Sequence, residues 1–311
     1  MNTAIIRTEQ LSRSFGSVQA VNELSLEVPA GIIFAFLGPN GAGKTTTIQL
    51  LLGLLEPSHG WASVLGFDTR TQADKIRERT GALLEFSGLY ERMSAEDNLD
   101  FYGRIYQMPA SERRARIKEL LTHLNLWDRR GERVGTWSQG MKQQLAVARA
   151  LFHHPQLVFL DEPVSGLDPI AASRLNNDLA SLVKQEGVTV FLNTHNMADA
   201  QELADQVGVI RHGKLLAVGN PDELRLKQGG PQAEIYGHGF TTQMVAALKQ
   251  QSGVVHVKQS NSHLSIELRD GGDVGSLVHL IVQQGGTVEE VRRGTADLED
   301  VFFALMEEQR A

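Results

Sequence analysis

Apolar and polar positions alternate through residues 23–28: Leu24, Leu26 and Val28 fall on one side, Glu23, Ser25 and Glu27 on the other. That period of two, with the stretch AIIRTEQLSRSFG before it, predicts antiparallel, half-buried strands in residues 1–30. The pattern then changes. GIIFAFL is a continuous apolar run, typical of a strand covered on both faces, and it leads through GPNGAGKTT into an apolar helix, TIQLLLGLL. Residues 88–155 are predicted to be mostly helical. Within them Ser94 can cap a helix whose first turn carries Glu96 and Asp97, which suits the helix dipole. A later helix enters at Thr136-Trp137-Ser138-Gln139-Gly140. QLVFLDEP and VTVFLNTH are two more buried-type strands, each ending in polar residues, and QVGVIRHGKLLAVG predicts a hairpin turning at His212-Gly213.

GNPDELRLKQGGP then reads as a boundary or linker, dividing the chain into residues 1–219 and 220–311. Beyond it the order is strand (Ala233–Tyr236), helix (Thr242–Gln251), strand (Val254–Lys258), strand (Leu264–Leu268), helix (Val274–Gln284), strand (Val288–Val291). That order predicts a small α+β sandwich of ferredoxin-like type. Val274, Leu277, Val278 and Ile281 form one helical face, and Leu298, Val301, Phe302 and Leu305 another.

Composition bounds the function. With 311 residues, 41% hydrophobic and 22% charged, the chain has room for two globular domains. A net charge of −7 disfavours broad nucleic-acid binding. The absence of cysteine removes disulfide frameworks and thiolate zinc sites, and is compatible with a reducing cytoplasm. MNTAIIRTEQ lacks a secretory pattern, and no apolar run approaches the roughly 18–20 residues of a membrane span, so work at a membrane requires a membrane partner.

The chemistry concentrates in two places. Gly38-Pro39-Asn40-Gly41-Ala42-Gly43-Lys44-Thr45 has the spacing of a phosphate-binding loop between a strand and a helix. Glycines at 38, 41 and 43 are expected to leave room for phosphate oxygens against backbone N–H groups. The helix start near Lys44 adds roughly half a positive charge. Lys44 supplies a further charge for the β- and γ-phosphates, and the Thr45 hydroxyl is a ligand for Mg2+. LVFLDEP places Asp161 and Glu162 outside the C-terminal end of a buried strand, where open parallel sheets bind ligands. Asp161 suits Mg2+, and Glu162 is placed to polarise an attacking water.

In this order the motifs resemble the nucleotide-binding subunit of ATP-binding-cassette (ABC) transporters, over about residues 3–225. FLGPNGAGKTTTIQLLLGLLEPSHG is similar to the family's Walker A segment, and LVFLDEPVSGLDP to Walker B with the D-loop Ser165-Gly166-Leu167-Asp168. His195 matches the switch histidine at the γ-phosphate, and Phe15 the aromatic that stacks on adenine. The resemblance implies an α/β P-loop cassette with a mixed-sheet core, an antiparallel β subdomain and a helical subdomain. It also implies nucleotide contacts from Asn40, Ala42 and Thr46 within the loop.

Two departures matter. Glu85 stands where the family usually has glutamine; a carboxylate there is expected to coordinate Mg2+ or orient water. The signature Leu-Ser-Gly-Gly-Gln is here Trp137-Ser138-Gln139-Gly140-Met141, keeping Ser138 and Gly140. That form, and TADLEDVFFALMEE near the C-terminus, resemble the drug-export branch.

The resemblance further implies a two-subunit ATP sandwich, a homodimer here, driving a polytopic membrane permease from the cytoplasmic face of the membrane. Ser138 and Gly140 would then face the partner subunit's ATP. Phe86, Leu89, Tyr90 and Met93 are either an apolar socket for the permease or ordinary packing. Arg113, Arg114 and Arg116 form either a solvated helix face or a lipid-headgroup patch. The C-terminal domain is a ligand sensor, a dimerisation surface or a brace. The competing functions are a soluble ABC-type ATPase acting on nucleic acid or ribosomes, and a regulatory nucleotide-binding module.

Overall fold

The computed structural model describes residues 4–228, 231–269, 272–295 and 301–302. The chain runs through β1 (Ala4–Phe15), β2 (Val18–Pro29), β3 (Ile33–Leu37), α1 (Lys44–Leu51), β4 (His59–Val64), β5 (Phe67–Asp68), α2 (Ala73–Arg77) and β6 (Thr80–Leu83). It continues with α3 (Ala95–Ile105), α4 (Ala110–His123), α5 (Gln139–Leu151), β7 (Leu157–Asp161), α6 (Pro169–Glu186), β8 (Thr189–Thr194), α7 (Met197–Leu203), β9 (Gln206–Arg211) and β10 (Lys214–Gly219). The remaining elements are α8 (Pro221–Gln228), β11 (Pro231–His238), α9 (Thr242–Lys249), β12 (Val254–Ser260), β13 (His263–Leu268), α10 (Val274–Gln283) and β14 (Thr287–Thr295). Two compact units result, residues 1–218 and 219–311.

The first unit holds two sheets. The antiparallel one has the order β2-β1-β4-β5, and Leu24, Leu26 and Val28 turn its alternating face inward. The other has the order β10-β9-β3-β8-β7-β6, with β9, β3, β8, β7 and β6 parallel. All of β3 and β8 is buried, and β7 is buried up to its last residue, because both faces of this sheet are covered. Phe34, Phe36, Phe159 and Phe191 pack ring to ring from β3, β7 and β8, so the three strands share one rigid centre.

Residues 88–155 form α3, α4 and α5, joined by loops and two short 3-10 turns. Ser94 caps α3 by accepting from the N–H of Asp97, and Ser138 caps α5 by accepting from that of Met141. The arginine row of α4 departs from both expectations. Arg116 is only 2% exposed and donates to the carbonyls of Leu151 and Phe152, at the C-terminal end of α5, and to Glu186. Arg113 is tied to Asp100, which leaves Arg114 alone on the surface. Burial of a guanidinium is possible here because helix-end carbonyls and a carboxylate receive it.

In the second unit the sheet order β12-β13-β11-β14, with helices after the first and third strands, is the ferredoxin-like split arrangement. Ile235, Leu264 and Ile266 pack against Met244, Leu248, Leu277 and Ile281. The stretch read as a linker contains α8. Its start is an Asn-Pro signal: the Asn220 side chain accepts from the N–H of Asp222, and Pro221 occupies the first helical turn. Leu298, Leu305 and most of TADLEDVFFALMEE lie outside the described residues; Val301 and Phe302 are helical and buried.

Candidate active site

Three neighbouring parallel strands deliver the candidate residues to one place. Register sets Leu37 beside Thr194 and Asp161 beside Asn193, so the chain segments leaving β3, β7 and β8 emerge together. The loop after β3 carries Gly38 to Gly43, and α1 begins at Lys44.

Two of the glycines meet a need beyond the one expected. A Cβ at Gly38 would lie 2.4 Å from the Ile210 carbonyl oxygen, and one at Gly43 2.2 Å from that of Ala20. Both are demanded by the protein's own backbone. Gly43 also has φ 105°, as the residue before α1. Gly41, at φ 78°, has open space where a Cβ would sit. Gly213, in the β9–β10 turn, donates to the Ala42 carbonyl at 2.9 Å and braces the loop from behind.

Lys44 is 7% exposed, and its Nζ donates to the Gly38 carbonyl at 2.6 Å and lies 3.6 Å from Glu162 Oε1. Thr45 Oγ1 donates to Asp161 Oδ2 at 2.6 Å. His195 Nδ1 is 2.9 Å from Glu162 Oε2. Glu162 itself has φ 50°, an uncommon conformation for a side chain of that kind, and its N–H donates to the Asn193 carbonyl at 3.0 Å. Lys44, Glu162 and His195 thus form one contact set, and Thr45 with Asp161 a second, brought side by side because Lys44–Thr45 and Asp161–Glu162 are consecutive in the chain.

A groove of about 340 Å³ runs over the loop, lined by Asn40, Ala42, Thr46, Asp161 and Glu162 among others. Val18 lines it as well, and Val18 is the register partner of Phe15, which is 46% exposed with the Arg13 guanidinium 4.7 Å from its ring centroid. A second cavity, about 530 Å³, adjoins it through Thr45, Asp161 and Glu162 and is walled by Glu85, Phe86, Gln139 and Gln143. Ser138 and Gly140 do not line the groove. Among the described residues nothing demands a glycine at 140, since a Cβ there would meet Leu167 and Ala171 at an ordinary 3.7 Å.

Two residues of the site escaped the sequence. Asn193 donates through Nδ2 to Asp161 Oδ1 at 3.1 Å; its signal was one amide in an otherwise apolar strand. His212, noted only as a turn residue, lines the groove.

Beyond Glu85 the loop splits. Leu89 packs inward, while Phe86 (82% exposed) and Tyr90 lie on the surface, as do Phe101, Ile105 and Tyr106. Behind them Arg149 donates to the Ala82 carbonyl at 2.7 Å and lies over the Tyr102 ring. Tyr106 stacks on His153 with centroids 3.7 Å apart. Burial pushes the His153 imidazole down to about 4, so it is neutral near pH 7 and its Nε2–H donates to the Thr80 carbonyl.

The family described as ABC transporter matches residues 21–165 of this chain. The chain is 34% identical to the bacitracin transport ATP-binding protein BcrA of Bacillus licheniformis, over 98% of this chain and 98% of that protein. It is 33% identical to the daunorubicin/doxorubicin resistance ATP-binding protein DrrA of Streptomyces peucetius, over 97% of this chain and 92% of that one. Among solved structures, cbiO1 from Clostridium perfringens, part of the ABC transporter complex cbiONQ, matches with a TM-score of 0.67 at 27% identity, covering 72% of this chain and 91% of that one.

Proposed function

Because this chain belongs to the ABC transporter family, we propose that it is the ATP-hydrolysing motor of an exporter whose membrane-spanning part is a separate polytopic chain. It is an ATP-binding subunit and an ATPase of that family. The observation that carries the motor role is the convergence of two adjoining contact sets, Lys44–Glu162–His195 and Thr45–Asp161, at the ends of three adjacent strands.

Phosphoryl transfer to water asks the protein for positioning and charge stabilisation more than for covalent chemistry. The loop N–H groups and Lys44 take the phosphates, and Phe15 offers the adenine a ring face. Thr45 Oγ1 and Asp161 Oδ2, hard oxygens 2.6 Å apart, fit Mg2+, an ion usually bound through one or two protein oxygens plus phosphate and water. Bound there, Mg2+ would offset charge on the β- and γ-phosphates. Glu85 lines the cavity that reaches the same pair, which supports a part for it beside the ion. Glu162, held between Lys44 and His195, polarises the attacking water. His195 and Lys44 then stabilise charge on the γ-phosphate.

Ser138 and Gly140 meet the ATP of a second copy. The exposed N-terminal end of α5 and the absence, among the described residues, of any need for a glycine at 140 support this homodimeric sandwich. The surface aromatics Phe86, Tyr90, Phe101 and Tyr106 support contact with the permease at the cytoplasmic face of the membrane. Among the described residues no helix is long and apolar enough to cross a membrane. The near-full-length relatives are named for transport and drug resistance, so the nucleic-acid alternative is not carried forward.

Purification from membranes tests this role. Recovery with a polytopic membrane protein is expected. Recovery only as free protein whose ATPase is stimulated by RNA or DNA contradicts it.

A further inference from the structure

Asn193 is out of place by every rule that makes β8. The strand TVFLNT is buried throughout, and Asn193 is 0% exposed in the middle of a parallel sheet. Among the described residues its Oδ1 has no hydrogen-bond partner. The assignment of the amide ends follows from chemistry: the Asp161 carboxylate only accepts, so the end facing it at 3.1 Å is Nδ2. An amide with one bare acceptor in such a place costs stability, so a contribution to packing does not account for it.

What Asn193 touches does account for it. Its side chain occupies Asp161 Oδ1, which leaves Oδ2 as the oxygen that meets Thr45 Oγ1 at 2.6 Å. Its main-chain carbonyl accepts the N–H of Glu162, the residue held at φ 50°. One residue therefore fixes both carboxylate-bearing positions, the first by its side chain and the second by its backbone.

We propose that Asn193 is a positioning residue for the cation end of the site: it locks the Asp161 carboxylate so that a single oxygen, paired with Thr45, is presented to a divalent ion. This rests on the Thr45–Asp161 pair being the ion-holding pair. Groups that orient a metal's ligands from behind typically contribute tenfold or more to metal affinity. The main-chain bond to Glu162 survives side-chain substitution, so the side chain's effect should fall on the ion and not on the placement of Glu162.

The test uses the full chain with Mn2+ as probe and a non-hydrolysable ATP analogue, reading free Mn2+ by electron paramagnetic resonance. N193L keeps the branched outline of the side chain and removes the amide. We expect Mn2+ to bind at least about tenfold more weakly. Metal-free binding of the analogue should be unchanged, and Tm equal to or above that of the unmodified protein. N193A carries the same test should the leucine fail to fold. Mn2+ affinity within about twofold of the unmodified protein in the folded variant overturns the proposal. So does a fall in Tm matched by an equal loss of metal-free binding, which would make Asn193 a simple tie between β7 and β8. If the unmodified protein binds the analogue equally with and without Mn2+, the reading of Thr45 and Asp161 fails, and this inference with it.

Discussion

Lys44 donates to the carbonyl of Gly38 at 2.6 Å, just past β3, and Arg149 donates to the carbonyl of Ala82 in β6 at 2.7 Å. Both cations are largely buried and bonded to main chain, yet their surroundings differ. Lys44 opens on a groove, has a carboxylate 3.6 Å away and stands at a helix start. Arg149 is enclosed by Tyr102 and its neighbours, and burial pushes its guanidinium below the ordinary value, partly offset by the tyrosines. A cation bonded to a carbonyl is thus not by itself a site. What distinguishes Lys44 is room for an anion beside it and other groups aimed at the same space.

Removing each cation in turn should separate the two roles. K44A should reduce ATP turnover by about a thousandfold or more while costing only about 1 kcal/mol of stability. R149A should do the reverse. Loss of a buried, bonded charge is expected to cost roughly 2–4 kcal/mol, with turnover per folded molecule kept within about twofold. Thermal unfolding and steady-state ATPase on the same samples check both. If R149A stops turnover without lowering Tm, the enclosed cluster belongs to the catalytic machinery after all.

A smaller, pH-limited effect sharpens the contrast. His153 titrates at about 4 in the fold, below its ordinary 6.5, so the unfolded chain takes up the proton first. Its contribution to stability is complete above about pH 6.5 and is lost as pH falls from there toward 4, by up to roughly 3 kcal/mol. H153F keeps a ring on Tyr106 without the titration, and should flatten the fall in Tm over that window. Its Tm near pH 7 should be little changed.

The same contrast explains what the sequence made legible. Phosphate binding requires glycine, lysine and hydroxyl types at fixed intervals between a strand and a helix, so the loop could be read residue by residue. The strand ends after β7 and β8 were equally plain, because polar residues follow uninterrupted apolar runs. The purpose of Gly38 and Gly43 was less plain: their need comes from Ile210 and Ala20, far away in sequence. Arg116 and Arg149 were illegible for a different reason. A guanidinium on a helix looks the same whether water or helix-end carbonyls receive it, and only the tertiary neighbours decide. Asn193 left a faint signal, an amide in an apolar strand, whose meaning depends on the Asp161 side chain across the register. The short pieces β5 and α2 carry too few residues for a period to show. The helix α8 is hidden in a stretch that reads as a boundary or linker, because asparagine followed by proline serves turns and helix starts alike.

In the proposed mechanism Glu162 polarises the water attacking ATP while Lys44 and the loop hold the phosphates. It is tested most directly by E162Q, measured for ATP binding and for steady-state turnover at concentrations that allow dimers to form. ATP affinity close to that of the unmodified protein is expected, with turnover lowered by about a hundredfold or more. Full turnover in E162Q would contradict it.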